Sequence, residues 1–313
     1  MIRTFQPIDV LRYAIFKHPN EQNRVQLLED LVKGKTPRLT FAGMCQEALP
    51  NPQKIYPLVW SSHQNILGLG AIRERAGNRA WEVSRLFLDS SDEAQDCLPL
   101  LEKLSQLAIK RGAQKIFLRL PANDSLEEVC RRAGFFPYYQ ELAFSGNPSL
   151  GQTNTNPTGW RPRASSDNQP LFRLYNAAVP HKVRTAVGLT MEEWQDSQER
   201  CSQKCQEFVY ERNGEVLAWL RIMSDYNRYF MDAVAHPQEE SSLLENAFKE
   251  LSAKNNAKTL MCALVPEHQA HFQEILSRNG FQKMAQYVIT VKFTAKRVEK
   301  ETVASTKTAP IGG

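Results

Sequence analysis

The sequence contains no apolar run as long as the roughly 18 residues that a membrane-spanning helix needs. It begins without a basic segment followed by an apolar core, so we expect no secretory signal. Blocks of lysine and arginine are missing as well, because the net charge of +5 arises from 39 basic and 34 acidic residues spread along the chain. The composition therefore argues against an integral membrane protein and against a nucleic-acid-binding protein.

Cysteine is scarce, and none of the six cysteines belongs to a Cys-x-x-Cys pair. Without an export signal, this predicts reduced thiols in a cytoplasmic protein. Cys201 and Cys205 are four positions apart, which places them on one helical face and disfavours a metal or redox role. His268 and His271 have a spacing that allows zinc binding, but there is no HExxH pattern and no evident third ligand. We interpret the two histidines as part of an exposed polar helix and predict no metal site.

The length of 313 residues and the hydrophobic content of 42% are sufficient for two domains with cores of their own. Residues 145–157 read SGNPSLGQTNTNP, a composition that is too polar to order itself by burial and that predicts a linker. Residues 296–313 are polar and predict a disordered tail. The sequence thus predicts an N-terminal domain over residues 1–144 and a C-terminal domain over residues 158–295.

The two predicted domains share landmarks in the same order. The apolar segments KIFLRLP at 115–121 and TLMCALVP at 259–266 are each followed by a helical stretch and a Gly-Phe pair, at Gly134 and Gly280. The two prolines are 145 residues apart and the two Gly-Phe pairs 146. Farther upstream, WEVSRLFL corresponds to YFMDAVAH at an offset of 148. This nearly constant spacing indicates an internal duplication.

Hydrophobic periodicity predicts the same elements in each half: a short strand, helix, three strands, helix, strand, helix and a last strand. Asn213-Gly214 is a strong signal for a tight hairpin turn in the second half. The predicted fold class is α/β with a mixed sheet in each half. In two copies, this order resembles a tandem GCN5-related N-acetyltransferase (GNAT), and the most specific points of resemblance are Gly134-Phe135, Gly280-Phe281 and Ala235-His236-Pro237.

The resemblance implies that the fourth and fifth strands of each half diverge and that the fourth strand binds the pantetheine arm of acetyl-CoA. In this sequence the matching backbone positions are Leu86 and Leu88 in the first half and Ala235 in the second. The family's glycine-containing diphosphate loop is replaced by residues without glycine in both halves. The serines at the starts of the next helices are candidates for contacting the diphosphate or, alternatively, simple helix caps. These serines are Ser90, Ser91, Ser241 and Ser242.

The resemblance also assigns catalytic candidates. Glu82 occupies a position where part of the family carries its general base, and the alternative is an ion pair of Glu82 with Arg73 or Arg85 on a solvated face. Cys130 occupies the position of the family's acid tyrosine, and the alternative is a buried residue of a helix. The corresponding position in the second half is Leu276, which cannot donate a proton.

The sequence therefore predicts an acetyl-CoA-dependent N-acetyltransferase that acts on an amine of a small molecule or a protein. The alternative is a catalytically inactive GNAT-like binding or scaffold protein that has lost CoA binding in one or both halves and binds a partner protein or another ligand. The acceptor, the acyl group, the active half and the oligomeric state stay open at this stage.

Overall fold

The computed structural model describes residues 1–10, 22–34, 55–62, 65–89, 96–147, 160–201, 205–225, 228–239, 242–247 and 260–294. These residues form one twelve-stranded sheet with helices on both faces, which confirms the predicted α/β class with a mixed sheet. The strands are β1 Ile2–Thr4, β2 Ile55–Ser62, β3 Asn65–Glu74, β4 Ala80–Leu88, β5 Lys115–Pro121, β6 Phe136–Gly146, β7 Trp160–Pro162, β8 Cys205–Arg212, β9 Glu215–Asp225, β10 Arg228–Ala235, β11 Leu260–Pro266 and β12 Gln282–Phe293.

Helices connect these strands on both faces of the sheet. They are α1 Leu28–Lys33, α2 Leu98–Lys110, α3 Leu126–Arg132, α4 Asn168–Ala178, α5 His181–Val187, α6 Met191–Asp196 and α7 Ala270–Arg278. Residues 7–10 and 242–247 are also helical. No helix in the described parts of the chain is both long and apolar enough to span a membrane.

The two halves exchange their last strands. The strand order is β1-β2-β3-β4-β5-β12-β6-β11-β10-β9-β8-β7, so β12, the last strand in the described residues, lies between two strands of the first half. β12 pairs antiparallel with β5 and with β6, and β6 pairs antiparallel with β11. Each half therefore completes the sheet of the other.

The duplication is visible in the local geometry. Gly134 and Gly280 follow α3 and α7 at equivalent places and have φ values of +86° and +80°. Glycine adopts this left-handed conformation at the end of a helix without steric cost, which allows the chain to turn at once into the next strand. The predicted hairpin turn at Asn213-Gly214 is confirmed, and it joins β8 to β9.

The predicted domain boundaries remain a prediction, and the exchanged strands cross them. β6 extends through Gly146, into the segment predicted as a linker, and residues 148–159 and 295–313 lie outside the described residues. A buried cluster joins the halves on one face of the sheet. It contains Phe117 and Tyr138 of the first half with Val183, Leu264 and Ile289 of the second.

One expectation about cysteine is wrong. Cys201 and Cys205 form a disulfide, and neither residue lies in a helix. Cys201 follows α6 and Cys205 begins β8, and their Cα atoms are 5.9 Å apart, within the usual range for a disulfide. The spacing of four residues, which suggests one helical face, therefore does not reflect a helix at these two positions. Cys97 and Cys130 are free and buried.

We expect neither half to fold alone. Separation at residue 150 would leave β5, β6 and β11 with unpaired edges, because β12 and β6 supply pairs to the other half. Fragments 1–150 and 151–313, expressed separately, should show no cooperative thermal transition, and coexpression should restore one. A single fragment that is monomeric and unfolds cooperatively would contradict this expectation.

Candidate functional site

Both halves contain a parallel strand pair that opens after a few residues. β4 and β5 pair only over Ala80–Glu82, and β10 and β11 pair only over Arg228–Met231. Beyond these points the facing backbone groups of the two strands lose their partners in the sheet and require others. The two openings are filled differently.

The opening between β4 and β5 is filled by the chain itself. The N–H of Arg24 donates to the carbonyl of Leu86 at 2.9 Å, and the N–H of Gln26 donates to the carbonyl of Arg119 at 3.0 Å. The side-chain oxygen of Asn23 accepts from the N–H of Leu86 at 2.8 Å. Residues 23–26, which we call the plug, thus supply hydrogen-bond partners to backbone groups of both strands.

The plug is held firmly in place. Val25 is fully buried in the core of the first half. The guanidinium of Arg24 lies 2.6 Å from the carboxylate of Asp124. Hydrogen bonds, burial and an ion pair therefore act together on four consecutive residues.

In the opening between β10 and β11, the described residues include one side chain that binds a strand carbonyl, that of Gln269. His236 donates its N–H to Leu217 of β9, so the antiparallel alternation turns the backbone groups of Ala233 and Ala235 away from β9 and toward the opening. The side-chain amide of Gln269 donates to the carbonyl of Ala233 at 3.0 Å. The side-chain carbonyl oxygen of Gln269, its Oε1 atom, is buried and has no hydrogen-bond partner among the residues that the structure describes.

A cavity of about 510 Å³ lies at this second opening, on the face that carries α4 and α5. Asp232 and Val234 of β10, Leu264 of β11 and Gln269 line its sheet side. The first half contributes residues on β5 and β6 and next to the end of β3. Among these are Arg75, which directly follows β3, and Arg119, Tyr139 and Glu141.

Ion pairs from both halves form the floor of the cavity. Arg119 contacts Glu141 at 2.9 Å and Glu199 at 2.5 Å, and Glu199 lies 3.6 Å from Arg75. Arg221 and Asp232 form a separate pair at 2.5 Å. Asp232 is the more accessible carboxylate, because its side chain is 23% exposed and that of Glu141 only 6%.

The three carboxylates differ in pKa, although burial disfavours the charge of each. Burial raises the pKa of Glu141, which Arg119 only partly offsets, and it raises the pKa of Asp232 against the attraction of Arg221. Burial also disfavours the charge of Glu199, but Arg119 and Arg75 outweigh it and lower the pKa of Glu199 to about 2. Glu199 is therefore a fixed anion, whereas Glu141 and Asp232 are suited to proton exchange.

His268 does not lie on an exposed polar helix, as the sequence suggests. It occupies the turn between β11 and α7, half-buried beside the cavity, while His271 is exposed on α7. Burial lowers the pKa of His268 to about 4, so its ring is neutral at pH 7. Within the described parts of the chain, neither ring nitrogen of His268 has a hydrogen-bond partner. Among the described residues, no group of three or more histidine, cysteine or acidic side chains is placed to hold a metal ion.

The architecture as a whole is similar to that of solved GCN5-related N-acetyltransferases. The GCN5-related N-acetyltransferase from Sphaerobacter thermophilus shares 13% sequence identity with this chain at a TM-score of 0.53, over 94% of this chain and 95% of that one. The tandem GNAT protein from the clavulanic acid biosynthesis pathway shares 12% identity at a TM-score of 0.50, over 94% of this chain and 98% of that one. The chain has a tandem GNAT fold. No family model and no curated protein matches the sequence.

The tandem GNAT fold makes the two openings equivalent, and the sites predicted from the sequence are distributed over both. Leu86 binds the plug through its backbone, and Leu88 is buried in the core of the first half. The backbone groups of Ala235 face the opening between β10 and β11 in the second half. Ser242 is exposed and donates its hydroxyl to the carbonyl of Glu239 at 3.2 Å. Ser90, Ser91 and Ser241 lie outside the described residues.

The two predicted catalytic residues lie in closely packed surroundings. Glu82 is 4% exposed and accepts from the Nε atoms of Arg73 at 2.7 Å and Arg75 at 3.0 Å. The pairing with Arg73 is the one that the sequence offers as an alternative, although on a buried face. Cys130 is buried in the core of the first GNAT half, where burial raises the pKa of its thiol. The roles of both residues in catalysis stay predictions.

Sequence reasoning missed most of the cavity floor. Arg119 lies between Leu118 and Leu120 of β5, and a charged residue among apolar neighbours is the signal that could have found it. Glu141, which follows Gln140 in β6, gives a weaker signal. Glu199 gives no signal, because it lies 80 positions from its partner Arg119 in a polar segment. The sequence shows Asp232 as a carboxylate near the place expected for a base in the second half, but not at the position that corresponds to Glu82.

The ion pairs of Glu82 lead to a test of its role. We expect Glu82→Gln to lower the free energy of unfolding by about 3 kcal/mol, because two buried guanidinium groups lose a charged partner. Chemical denaturation measures this, and Glu128→Gln is the control, since Glu128 pairs with Arg131 in an exposed position. If Glu82→Gln instead retains full stability and removes activity, Glu82 acts as a base and not as a structural anion.

Proposed function

We propose that the protein is an acyl-CoA-dependent N-acyltransferase with a single site per chain, located in the second half between β10 and β11. One observation carries this proposal: the second opening meets a cavity lined by Asp232, whose partly buried carboxylate is accessible from the cavity. The equivalent opening of the first half is filled by the plug. The first half then has a structural role, and it supplies Arg75, Arg119 and Glu141 to the wall of the site.

The groove of the second half fits the pantetheine arm of an acyl-CoA. The backbone groups of Ala233 and Ala235 face the opening, and an amide already binds there, that of Gln269. The donor's own amide groups would replace this side chain at the carbonyl of Ala233. The segment that follows β10 fits the diphosphate less well, because it lacks glycine and contains Glu239, which pairs with Arg212. We therefore expect the pantetheine arm to provide most of the donor's binding energy.

The residues of the cavity provide a route for the protons. An acyl-CoA supplies the activated acyl group when bound. Asp232 takes one proton from the ammonium of the acceptor, so that the free nitrogen attacks the thioester carbonyl. The carbon–nitrogen bond forms, the carbon–sulfur bond breaks, and the second nitrogen proton passes to the leaving thiolate. Asp232 returns its proton to water, so the products are the amide, free CoA thiol and one released proton.

Replacement of Asp232 tests the proposed base. We expect Asp232→Asn to lower kcat/KM by about 10²- to 10⁴-fold, the usual contribution of a general base. Acetyl transfer to an amine, followed as released CoA thiol, measures this. Glu215→Gln is the matched control, because Glu215 is an exposed carboxylate at the start of β9 and does not line the cavity. Equal activity of both variants would exclude Asp232 as the base.

The pH dependence has a definite sign. Burial raises the pKa of Asp232, and the base must be ionised to accept a proton. The rate should therefore fall as the pH falls through this raised pKa, and Asp232→Asn should remove that limb of the profile. A profile of kcat/KM between pH 4 and 8 tests this, and an unchanged acid limb in the variant would assign it to another group.

The proposed groove leads to a test by binding. Calorimetric titration of acetyl-CoA into the full chain should give one site per chain. Ala235→Pro removes an N–H that faces the groove and no hydrogen bond of the β9 ladder, so it should abolish binding with an unchanged circular dichroism spectrum. Ala235→Ser keeps the N–H and should bind. Two sites per chain, or full affinity in Ala235→Pro, would contradict the single groove.

A further inference from the structure

The disulfide of Cys201 and Cys205 is more accessible than the other sulfur groups of the described residues. Cys201 is exposed and Cys205 is half-buried. Cys97 and Cys130 lie in the core of the first half, where burial raises the pKa of the Cys97 thiol to about 12. Burial also raises the pKa of Cys262, which is half-buried. Thiol chemistry requires a thiolate and a sulfur that it can reach, so Cys201 is the favoured point of attack in this part of the chain.

The disulfide contributes little to the stability of the whole fold. It joins residues four positions apart, and the stabilisation that a disulfide provides through the unfolded chain increases with the length of the loop it closes. β8 is held independently by its pairing with β9, which extends from Cys205 to Arg212. The bond can therefore open while the sheet stays intact.

The residues directly before the disulfide form part of the cavity wall. Residues 197–200, which we call the strap, connect the end of α6 to Cys201. Ser197, Gln198 and Glu199 line the cavity. Glu199 lies 2.5 Å from Arg119 and 3.6 Å from Arg75. Only two positions thus separate the disulfide from the anion that two arginines of the cavity floor share.

Hydrogen bonds attach the strap to the first half, at the turn that follows β3. The guanidinium of Arg75 donates to the carbonyl of Ser197 at 3.0 Å. The N–H of Ala76 donates to the carbonyl of Gln198 at 3.1 Å, and the Nε atom of Arg200 donates to the carbonyl of Arg75 at 3.2 Å. At its other end the strap is tied covalently to β8 of the second half through the disulfide. The strap therefore spans the two halves, with a redox-sensitive bond at one end.

We propose that the bond between Cys201 and Cys205 is a site of thiol–disulfide exchange with a dithiol reductant, and that its reduction loosens the strap and the side of the cavity that carries Glu199. The loosening of the strap is independent of what the cavity binds. As a control of acyl transfer, the inference rests on the proposed function.

The exchange is balanced in two steps. A thiolate of the reductant attacks the Sγ atom of Cys201, the sulfur–sulfur bond of the protein breaks, and Cys205 leaves as a thiolate that takes a proton. The second thiol of the reductant then attacks the mixed disulfide and releases Cys201 as a thiol. The protein gains two electrons and two protons, and the reductant becomes a disulfide.

Alkylation of the native full chain tests the exchange. We expect iodoacetamide to label neither Cys201 nor Cys205 before reduction and to label both after treatment with dithiothreitol, as read by mass spectrometry of peptides. Cys97 and Cys130 should stay unlabelled in both states, because they are buried. Labelling of Cys201 before reduction, no labelling of it afterwards, or loss of the cooperative thermal transition on reduction would each overturn the proposal.

Hydrogen exchange, also read by mass spectrometry, locates the effect. We expect the peptides that contain Ala76 and the strap to exchange about tenfold faster after reduction, and the peptide of α2 to exchange at an unchanged rate. A chain with both Cys201→Ser and Cys205→Ser should reproduce the reduced state without reductant. Cys262→Ser is the matched control, because it removes a cysteine outside the bond and should keep the response to reductant. Equal exchange in the oxidised chain and the double variant would refute the loosening of the strap.

Titration of acetyl-CoA into both redox states separates this inference from the proposed function. We expect the reduced chain to bind about fivefold more weakly, because a loosened strap lowers the fraction of molecules with a complete cavity wall. Faster exchange without acetyl-CoA binding in either state refutes the transferase proposal and leaves the redox site. Equal binding in both states refutes the control of the site, and equal exchange as well refutes the redox inference while the transferase proposal stands.

Discussion

The exchange of β6 and β12 between the halves is the constraint on which the other features depend. It places β12 between β5 and β6 and joins two sheets into one through hydrogen bonds of the backbone. As a result, only β12 separates Arg119 of β5 from Glu141 of β6, and the two side chains form an ion pair at 2.9 Å. β6 also runs beside β11, which brings residues of the first half to the wall of the cavity in the second. Two separate GNAT halves would have no such floor.

The two openings show how duplicated units diverge under one physical requirement. Backbone groups at a strand edge must find partners, because an unpaired buried N–H or C=O group costs about 1–3 kcal/mol. In the first half the plug meets this requirement permanently, through Asn23, Arg24 and Gln26 and the burial of Val25. In the described part of the second half, one side chain, that of Gln269, binds one carbonyl at the opening. A ligand can displace one side chain at a much lower cost in free energy than the plug, which has four residues, a buried valine and an ion pair. The halves therefore differ less in fold than in whether their opening can admit a ligand.

Much of the fold follows from local patterns in the sequence. The Gly-Phe pairs, the Asn-Gly turn and the alternation of apolar residues indicate the strands, the helices and the duplication. The strand exchange leaves no local signal, because β6 and β12 have the same alternation whether they pair within a half or across halves. For the same reason the cavity floor could not be assembled from the sequence, since Arg119 and Glu199 are 80 residues apart. Glu82 illustrates the limit from the other side: the sequence supplies its partner Arg73, but it does not show that the pair is buried.

The position of β12 also affects how the chain folds during synthesis. β5 and β6 are complete early, but the place between them is filled only by residues 282–293, and the contact of Thr290 with Leu118 spans 172 residues. Contacts of such separation form slowly, and an unpaired strand edge is prone to aggregation until they form. On the ribosome, β5 and β6 therefore keep open edges until residues 282–293 have emerged. Translation of the last strand, and not of the first half, completes the hydrogen-bonded core from which both halves gain their stability.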